Sequence, residues 1–500
     1  MSNRSIFLKN FYANLLLQIT TVVSGLVLPP LIILHYGSAA NGMLASAKQL
    51  IAYLDILEAG IGASSIALLY KPLFEKDTFR RNQILATTHR FYRLIGLAFF
   101  AFLIILALAY SYLIRQQIPY TETFFVILFL GMVNALDFLT IASYRVLLLA
   151  DNKTAVISSI QAVITLLNVL ACWQLIQHDT GNTGLIDLQV AYFSVSLLRF
   201  LCIYLYVKKQ YPDLSLHSSH AVSLSEIPQK RDAFIIKSTA LLNYIAPMIL
   251  TAIFCNLKDT SIYSIYFLIF GSIKLTLHTV SNGTSNIFGK ILTDSSQKER
   301  IDSYFQKYES MYFIYAGFLY SCISVLALPF ISIYTKTMTD ADYYQPILMW
   351  LFVIAGFGDL KTPYDLLCTA AGKFKPNRTR GIIELSLHIS SSVILANHYG
   401  LHGILLGSIL SSSYNTISSI NYTNKHLLHR STSQSIKKIL LISSPILISF
   451  YIQNYLTKTN IQTSNYINWL TIAIPTGITF SLTYLIIYKI INRKNWQHNT

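Results

Sequence analysis

The sequence predicts an all-α fold, a polytopic membrane protein of about fourteen transmembrane helices. Three observations carry that prediction. Charged residues make up only 12% of the 500 and apolar ones 53%, where a soluble domain carries about 25% charged residues; mean hydropathy is +0.49. Apolar runs of about 20 residues, the length needed to cross about 30 Å of hydrocarbon, recur along the whole chain. The basic residues fall in alternate connections between those runs.

The runs place spans at 11–35, 43–70, 94–114, 123–149, 155–176, 188–207, 238–256, 261–285, 310–334, 346–370, 381–398, 402–420, 438–456 and 467–491. The first run is too long for the h-region of a signal peptide, about 7–15 residues, and no A-x-A-like site ends it. One set of connections holds Arg4, Lys9, Lys71, Lys76, Arg80, Arg81, Arg90, Arg93, Lys153, Lys208, Lys209, Lys230, Arg231, Lys237, Lys290, Lys298, Arg300, Lys307, Lys373, Lys375, Arg378, Arg380, Lys425, Arg430, Lys437, Lys438, Arg493 and Lys494. The other set holds little beyond Arg115, Lys258, Lys336 and Lys458. By the positive-inside rule both termini face the cytoplasm. The Ser- and His-rich connection at 208–237 reads as a linker near the midpoint, of the kind that joins two transporter repeats. The expected organisation is a first helical lobe at 1–209, a cytoplasmic linker at 210–236, a second lobe at 237–425, and two further helices with a tail at 426–500. The glycines Gly60 and Gly62 with Ala63, and Gly283 in the second half, are a faint internal echo. The segment 71–93 reads as an amphipathic stretch on the inner membrane surface or a basic loop.

Several functions are excluded. The net charge of +16 is spread over loops rather than gathered in one patch, so no nucleic-acid partner is implied. Cys172, Cys202, Cys255, Cys322 and Cys368 stand singly, without metal or disulfide spacing. The nearest phosphate-cradle candidate, 283–290, has the wrong spacing and Ile291 where Ser or Thr belongs. External loops are too short for a glycosyltransferase or polymerase domain, and no acidic catalytic pair or H-E-x-x-H occurs. No enzymatic activity and no cofactor are expected.

Charge inside hydrocarbon costs about 2.5–3.5 kcal/mol per residue, so such residues face a bundle interior or a wet cavity. The charged candidates are Lys48, Asp55, Glu58, Asp137, Arg145, Arg199, Lys274, Asp359, Lys361, Asp365 and Glu384. The functional reading is a water-filled cavity between two halves, with Lys48, Arg199 and Lys274 holding an anionic substrate such as a pyrophosphate. Asp55, Glu58 and Asp137 would carry the coupling proton or sodium ion. The competing reading is structural ion pairs between helices. Asp55 and Glu58, three apart, would repel, which calls for a cationic partner or a raised pKa. Arg145 sits near a helix end and can snorkel, and Lys361 and Asp365, four apart, can pair. Asn14 and Gln18 share a face of the first helix. The 33 Tyr concentrate near span ends as interfacial anchors. Pro29 and Pro30 are expected to interrupt the first helix, and Pro247 to loosen the seventh.

Four stretches resemble a known family: NLLLQITTVVSGLVLPPLIILHYGSAANGMLASAKQLIAYLDILEAGIGAS, YRVLLLADNKTAVISS, LLRFLCIYLYVKKQYPDL, and GDLKTPYDLLCTAAGKFKPNRTRGIIELSLHISSSVILANHYGLHGILLGSIL. They are similar to the Wzx-like O-antigen and capsule flippases, the polysaccharide transporter family of the multidrug/oligosaccharidyl-lipid/polysaccharide (MOP) exporter superfamily, over most of the chain to about residue 430. The resemblance implies two six-helix lobes in a V, MATE-like, plus two C-terminal helices, with a cationic central cavity in a bacterial cytoplasmic (inner) membrane. It implies transport of a polyprenyl-diphosphate-linked oligosaccharide for capsule, exopolysaccharide or O-antigen assembly, coupled to an ion gradient. A polysaccharide polymerase and chain-length proteins are the implied partners besides the lipid-linked substrate and the bilayer. Lys361 stands where that pattern has Arg, so an ammonium replaces a bidentate guanidinium. A multidrug or small-metabolite antiporter of the same superfamily is the alternative.

Overall fold

A computed structural model of the chain describes residues 3–54, 58, 61–178, 184–216, 230–293, 301–458 and 465–496. All regular structure among them is helical: α1 (Asn3–Leu54), α2 (Ile61–Glu75), α3 (Thr78–Ile114), α4 (Tyr120–Thr140), α5 (Ala142–Ala150), α6 (Thr154–Gln177), α7 (Leu185–Gln210), α8 (Lys230–Phe254), α9 (Leu257–Thr293), α10 (Ile301–Tyr334), α11 (Pro346–Gly356), α12 (Thr362–Ala370), α13 (Phe374–His426), α14 (Thr432–Lys458) and α15 (Tyr466–Trp496), with a short 3-10 turn (Phe357–Lys361) between α11 and α12. Eleven are long and apolar enough to cross a membrane.

Two of these eleven are each two spans. At about 1.5 Å per residue, α1 with 52 residues and α13 with 53 would each measure roughly 80 Å if straight, more than twice the hydrocarbon thickness. Each breaks at a glycine in the positive-φ region, Gly37 (φ 82°) and Gly400 (φ 53°), where a side chain would be strained. The connections expected at 37–41 and 398–403 are thus kinks with helix on both sides. The break after Gly400 folds α13 into a hairpin, closed by Gly403 and Gly407. A Cβ on Gly403 would lie 2.1 Å from the Leu395 carbonyl oxygen, and one on Gly407 2.6 Å from the Ser392 amide nitrogen. Small residues let two helices approach where lipid supplies no hydrophobic drive. Ser392 Oγ donates across the hairpin to the Ile404 carbonyl at 3.1 Å.

Three expected spans are interrupted. The span 43–70 divides between α1 and α2, 123–149 breaks at Ile141 between α4 and α5, and 346–370 is α11, the 3-10 turn and α12. Pro29 and Pro30, expected to interrupt the first helix, lie within continuous helix; the break falls at Gly37, because a membrane helix tolerates proline when neighbours satisfy the freed carbonyls. The segment 71–93 is no separate surface helix. It is the end of α2, a turn at Lys76 (φ 56°), and the start of α3, capped by Asp77 accepting from the Arg80 amide at 2.9 Å. Ile84, Leu85 and Tyr92 are buried there while Phe74 and Phe79 are exposed.

The chain forms two compact units, residues Met1–Lys237 with Asn256–Ser261, and Ser238–Cys255 with Ile262–Thr500. In the first, α3 packs on α4, α1 on α6, and α7 on α4 and α6. A turn closes this unit at one end. Asp151, Asn152 and Lys153 donate their amides to the Leu147, Leu149 and Leu148 carbonyls. Lys153 Nζ donates to Tyr211 Oη at 3.0 Å, and Tyr211 Oη donates to Asp151. Burial and the Asp151 carboxylate push the Tyr211 phenol up, which keeps it a neutral donor. Asn10 accepts from the Ala155 amide and donates to the Asn152 carbonyl, both at 2.8 Å.

The second unit repeats that turn. Ala371, Gly372 and Lys373 donate to the Leu367, Thr369 and Cys368 carbonyls with the same four-back, three-back, five-back pattern, and Gly372 (φ 70°) occupies the left-handed position held by Asn152 (φ 55°). In both units a broken span precedes the turn. Elsewhere in this unit α14 and α15 pack against α10. The contact is pinned by Glu309, fully buried on α10, which accepts from Lys438 Nζ at 2.6 Å, Arg430 Nη2 at 2.7 Å, Ser435 Oγ at 2.8 Å and Tyr364 Oη.

Replacing Gly407 by leucine drives a side chain into the Ser392 backbone, a clash neither helix can relieve by rotamer change. The expected loss is at least about 1–3 kcal/mol, read as a lower melting temperature of the detergent-purified protein, with Gly477→Leu, where nothing lies within 4 Å of the added Cβ, close to wild type.

Candidate functional site

In the first unit the intramembrane charges converge on Asp137. This residue is buried on α4, one turn before the break at Ile141. The break lets α5 carry Arg145 back toward it: Arg145 Nη2 lies 2.8 Å from Asp137 Oδ2. Arg199, on α7, places Nη2 2.9 Å from Oδ1 and donates Nη1 to Gln161 of α6 at 2.9 Å. Arg199 Nε is buried without a hydrogen-bond partner among the described residues. Glu58 extends the group: its Oε1 is 3.9 Å from Arg145 Nη2 and accepts from Tyr92 Oη at 2.8 Å. Tyr92 stacks on Phe138, the neighbour of Asp137. Two guanidiniums thus face two carboxylates across three helices and the segment carrying Glu58, at side-chain exposures from 8% for Asp137 to 34% for Glu58. A guanidinium of this kind keeps its charge and its fork geometry, so it can exchange one oxyanion partner for another.

Of the residues singled out in the sequence, Glu58, Asp137, Arg145 and Arg199 therefore meet. The cationic partner sought for the Asp55–Glu58 pair is, for Glu58, Arg145; Asp55 lies outside the described residues. Lys48 stands apart. It lies on α1, no described carboxylate lies within ion-pair distance, and the Cys172 thiol of α6 is its electrostatic neighbour. Asn14 accepts from Ser158 Oγ, tying α1 to α6, and Gln18 is exposed.

The second unit has its own groups. Lys274 on α9 is half-exposed, with Nζ 3.6 Å from Asp359 Oδ1 and 5.3 Å from the Tyr244 ring centre. Asp359 also accepts from Tyr320 Oη at 2.8 Å. Lys361 does not pair with Asp365. It donates to Glu384 Oε1 at 2.6 Å, while Asp365 faces Arg380 Nη2 at 3.4 Å and accepts from Ser419 at 2.8 Å. Lys361 ends the 3-10 turn and Asp365 sits in α12, so the four-residue spacing does not put them on one helical face. Glu384 also accepts from Asn415 Nδ2 at 2.6 Å and Asn243 Nδ2 at 3.4 Å. Asn243 Oδ1 accepts from His388 Nδ1 at 3.1 Å, and His388 Nε2 lies 2.8 Å from Ser408 Oγ. The sequence reading did not single out His388, Asn243 or Asn415, because single polar residues far apart in sequence give no spacing signal. No group of three potential metal ligands occurs among the described residues.

No family model matches the sequence, and no curated protein matches it. Solved structures do. The chain is similar to an inward-facing multidrug resistance MATE family transporter of the MOP superfamily, with a TM-score of 0.63 at 11% identity over 83% of this chain and 95% of that one. It is similar to the lipid II flippase MurJ in an inward closed conformation, with a TM-score of 0.62 at 15% identity over 96% of this chain and 99% of that one. The fold is that of the MOP superfamily transporters. A MOP superfamily transporter from Pyrococcus furiosus, noted for the reverse polarity of its binding pocket, is a further match, with a TM-score of 0.54 at 11% identity over 85% of this chain and 95% of that one.

Asp137 serves two arginines, so removing it takes from both their nearest carboxylate. Asp137→Asn is expected to lower stability by about 3 kcal/mol, the low end of the range for breaking a buried pair because Arg145 keeps 31% of its side chain accessible. Arg145→Gln is expected to lower it less. Thermal unfolding of the two variants in one detergent measures the order.

Proposed function

We propose that the protein is a flippase that moves a polyprenyl-diphosphate-linked oligosaccharide across a bacterial cytoplasmic membrane, by ion-coupled alternating access, for capsule, exopolysaccharide or O-antigen assembly. The observation that carries this reading is the set of cations inside membrane spans. Arg145 and Arg199 present forked donors of the type that binds phosphate, Arg199 keeps an unused buried donor, and Lys48 lacks a described carboxylate partner. The structural likeness fits both this reading and the antiporter: the match to the lipid II flippase runs over 96% of the chain, and one to a MATE structure over 90%.

The second reading is a multidrug or small-metabolite antiporter. Glu58, Asp137 and Glu384 favour it, since intramembrane carboxylates attract cationic drugs. Each of them already holds a cation of its own unit, which leaves the balance with an anionic substrate.

The test is surface glycan display in the cognate strain with its own flippase deleted. Wild type is expected to restore it. Lys48→Ala, Arg199→Ala and Lys274→Ala, at matched membrane levels, are each expected to reduce it about tenfold or more, the loss of one hydrogen bond to a charged group. Failure of wild type, with drug resistance conferred instead, would establish the antiporter.

A further inference from the structure

We infer that Lys361 and Glu384 form a proton-linked anion site, in which a diphosphate takes the Lys361 ammonium and Glu384 takes up one proton in exchange. The inference rests on the reading of an anionic lipid-linked substrate and names a proton-linked step in binding it.

The geometry is that of a cation held in reserve. An ammonium carries three donors, and among the described residues Glu384 is the one hydrogen-bond acceptor Lys361 has. Lys361 keeps 23% of its side chain accessible while Glu384 keeps 9%. The lysine is therefore the reachable partner and the carboxylate the sequestered one. An oxyanion arriving from the accessible side can fill the two unused donors and draw the ammonium off Glu384.

The surroundings of Glu384 set its response. Its other donors are two neutral amides, Asn415 and Asn243. Of the remaining charged and titratable groups on the elements packed around it, Lys274 faces Asp359, and Asp365, which acts electrostatically on both Lys361 and Glu384, keeps Arg380 as a cation of its own. His388, on the same face of α13, is held between Asn243 and Ser408. A buried carboxylate that loses its only cation is left uncompensated, and protonation is the response that removes the charge. The proton comes from water and adds to a carboxylate oxygen; no covalent bond to the anion forms, and the local charge is conserved as one ammonium is withdrawn and one proton arrives. By linkage the proton in turn promotes anion binding.

The contrast with the first unit supports the assignment to this pair. Asp137 has two guanidiniums, so an anion that captures one of them leaves the other in place. Glu384 has no second cation among the described residues.

The full-length protein in nanodiscs is titrated by calorimetry with a farnesyl diphosphate esterified to a sugar at its second phosphate, a diester that does not itself titrate in this range, in two buffers of different ionisation heat, between pH 5.5 and 8.5. Wild type is expected to take up one proton per diphosphate bound over part of that range. Its affinity should rise as pH falls, by up to tenfold per unit wherever a full proton is taken up. Glu384→Gln is expected to bind with no proton uptake and no pH dependence, Glu384→Asp to retain the uptake, and Lys361→Met to bind at least tenfold more weakly. Binding to wild type without proton uptake, or uptake that persists in Glu384→Gln, overturns the inference and leaves the flippase reading standing. No binding of the diphosphate to wild type at any pH overturns both. Should Glu384→Gln not fold, Glu384→Asp and Lys361→Met carry the decision.

Discussion

Every charge placed inside a membrane span of this protein has to find its compensation within the protein, because hydrocarbon supplies neither water nor counter-ions. That requirement organises both units. Asp137 joins α4, α5 and α7 by holding Arg145 and Arg199, and it can do so only because the helix breaks at Ile141 and lets α5 turn its arginine back. Glu384 joins the 3-10 turn to α8 and to both arms of the α13 hairpin through Lys361, Asn243 and Asn415. Glu309 fastens α14 to α10 by gathering Lys438 and Arg430. In each case the carboxylate is the more buried member, even beside Arg430, whose own side chain is 6% exposed against 0% for Glu309. A site that must receive an anion from outside needs its cations outermost, and the arrangement at Asp137 and at Glu384 meets that condition.

Much of the helical architecture was legible in the sequence, since span length follows directly from bilayer thickness. The positions at which spans break were not legible. Gly37 and Gly400 are two glycines among 21, and nothing local separates them from Gly42 or Gly407, which serve close packing instead. The prolines misled for a related reason: Pro29 and Pro30 remove helix hydrogen bonds in principle, yet the helix passes through them.

The charged cluster around Asp137 was legible in its members and not in its pairings. Glu58, Asp137, Arg145 and Arg199 stand out because charge in an apolar run is rare. Arg199 and Asp137, however, are 62 positions apart in sequence, and no periodicity links residues on different helices. Lys361 and Asp365 show the opposite failure. Their spacing suits an α-helix, but the 3-10 turn ending at Lys361 changes the register and sends each to a different partner. Glu309 escaped notice because it falls at the edge of an apolar run, where charge is unremarkable.

The repeated turn shows how little of the substrate chemistry the backbone dictates. Asn152 and Gly372 occupy the same left-handed position with the same three backbone hydrogen bonds, and the motifs ADNK and AAGK that make these turns are among the stretches carrying the family resemblance. Seven residues before each stands a charged side chain of opposite sign, Arg145 in one unit and Asp365 in the other. The first reaches Asp137 and the second reaches Arg380. One local frame therefore presents a cation in one unit and an anion in the other. A comparison at 11 to 15% identity matches the frame and not the charge, so likeness of fold does not fix the sign of the side chain that the frame carries.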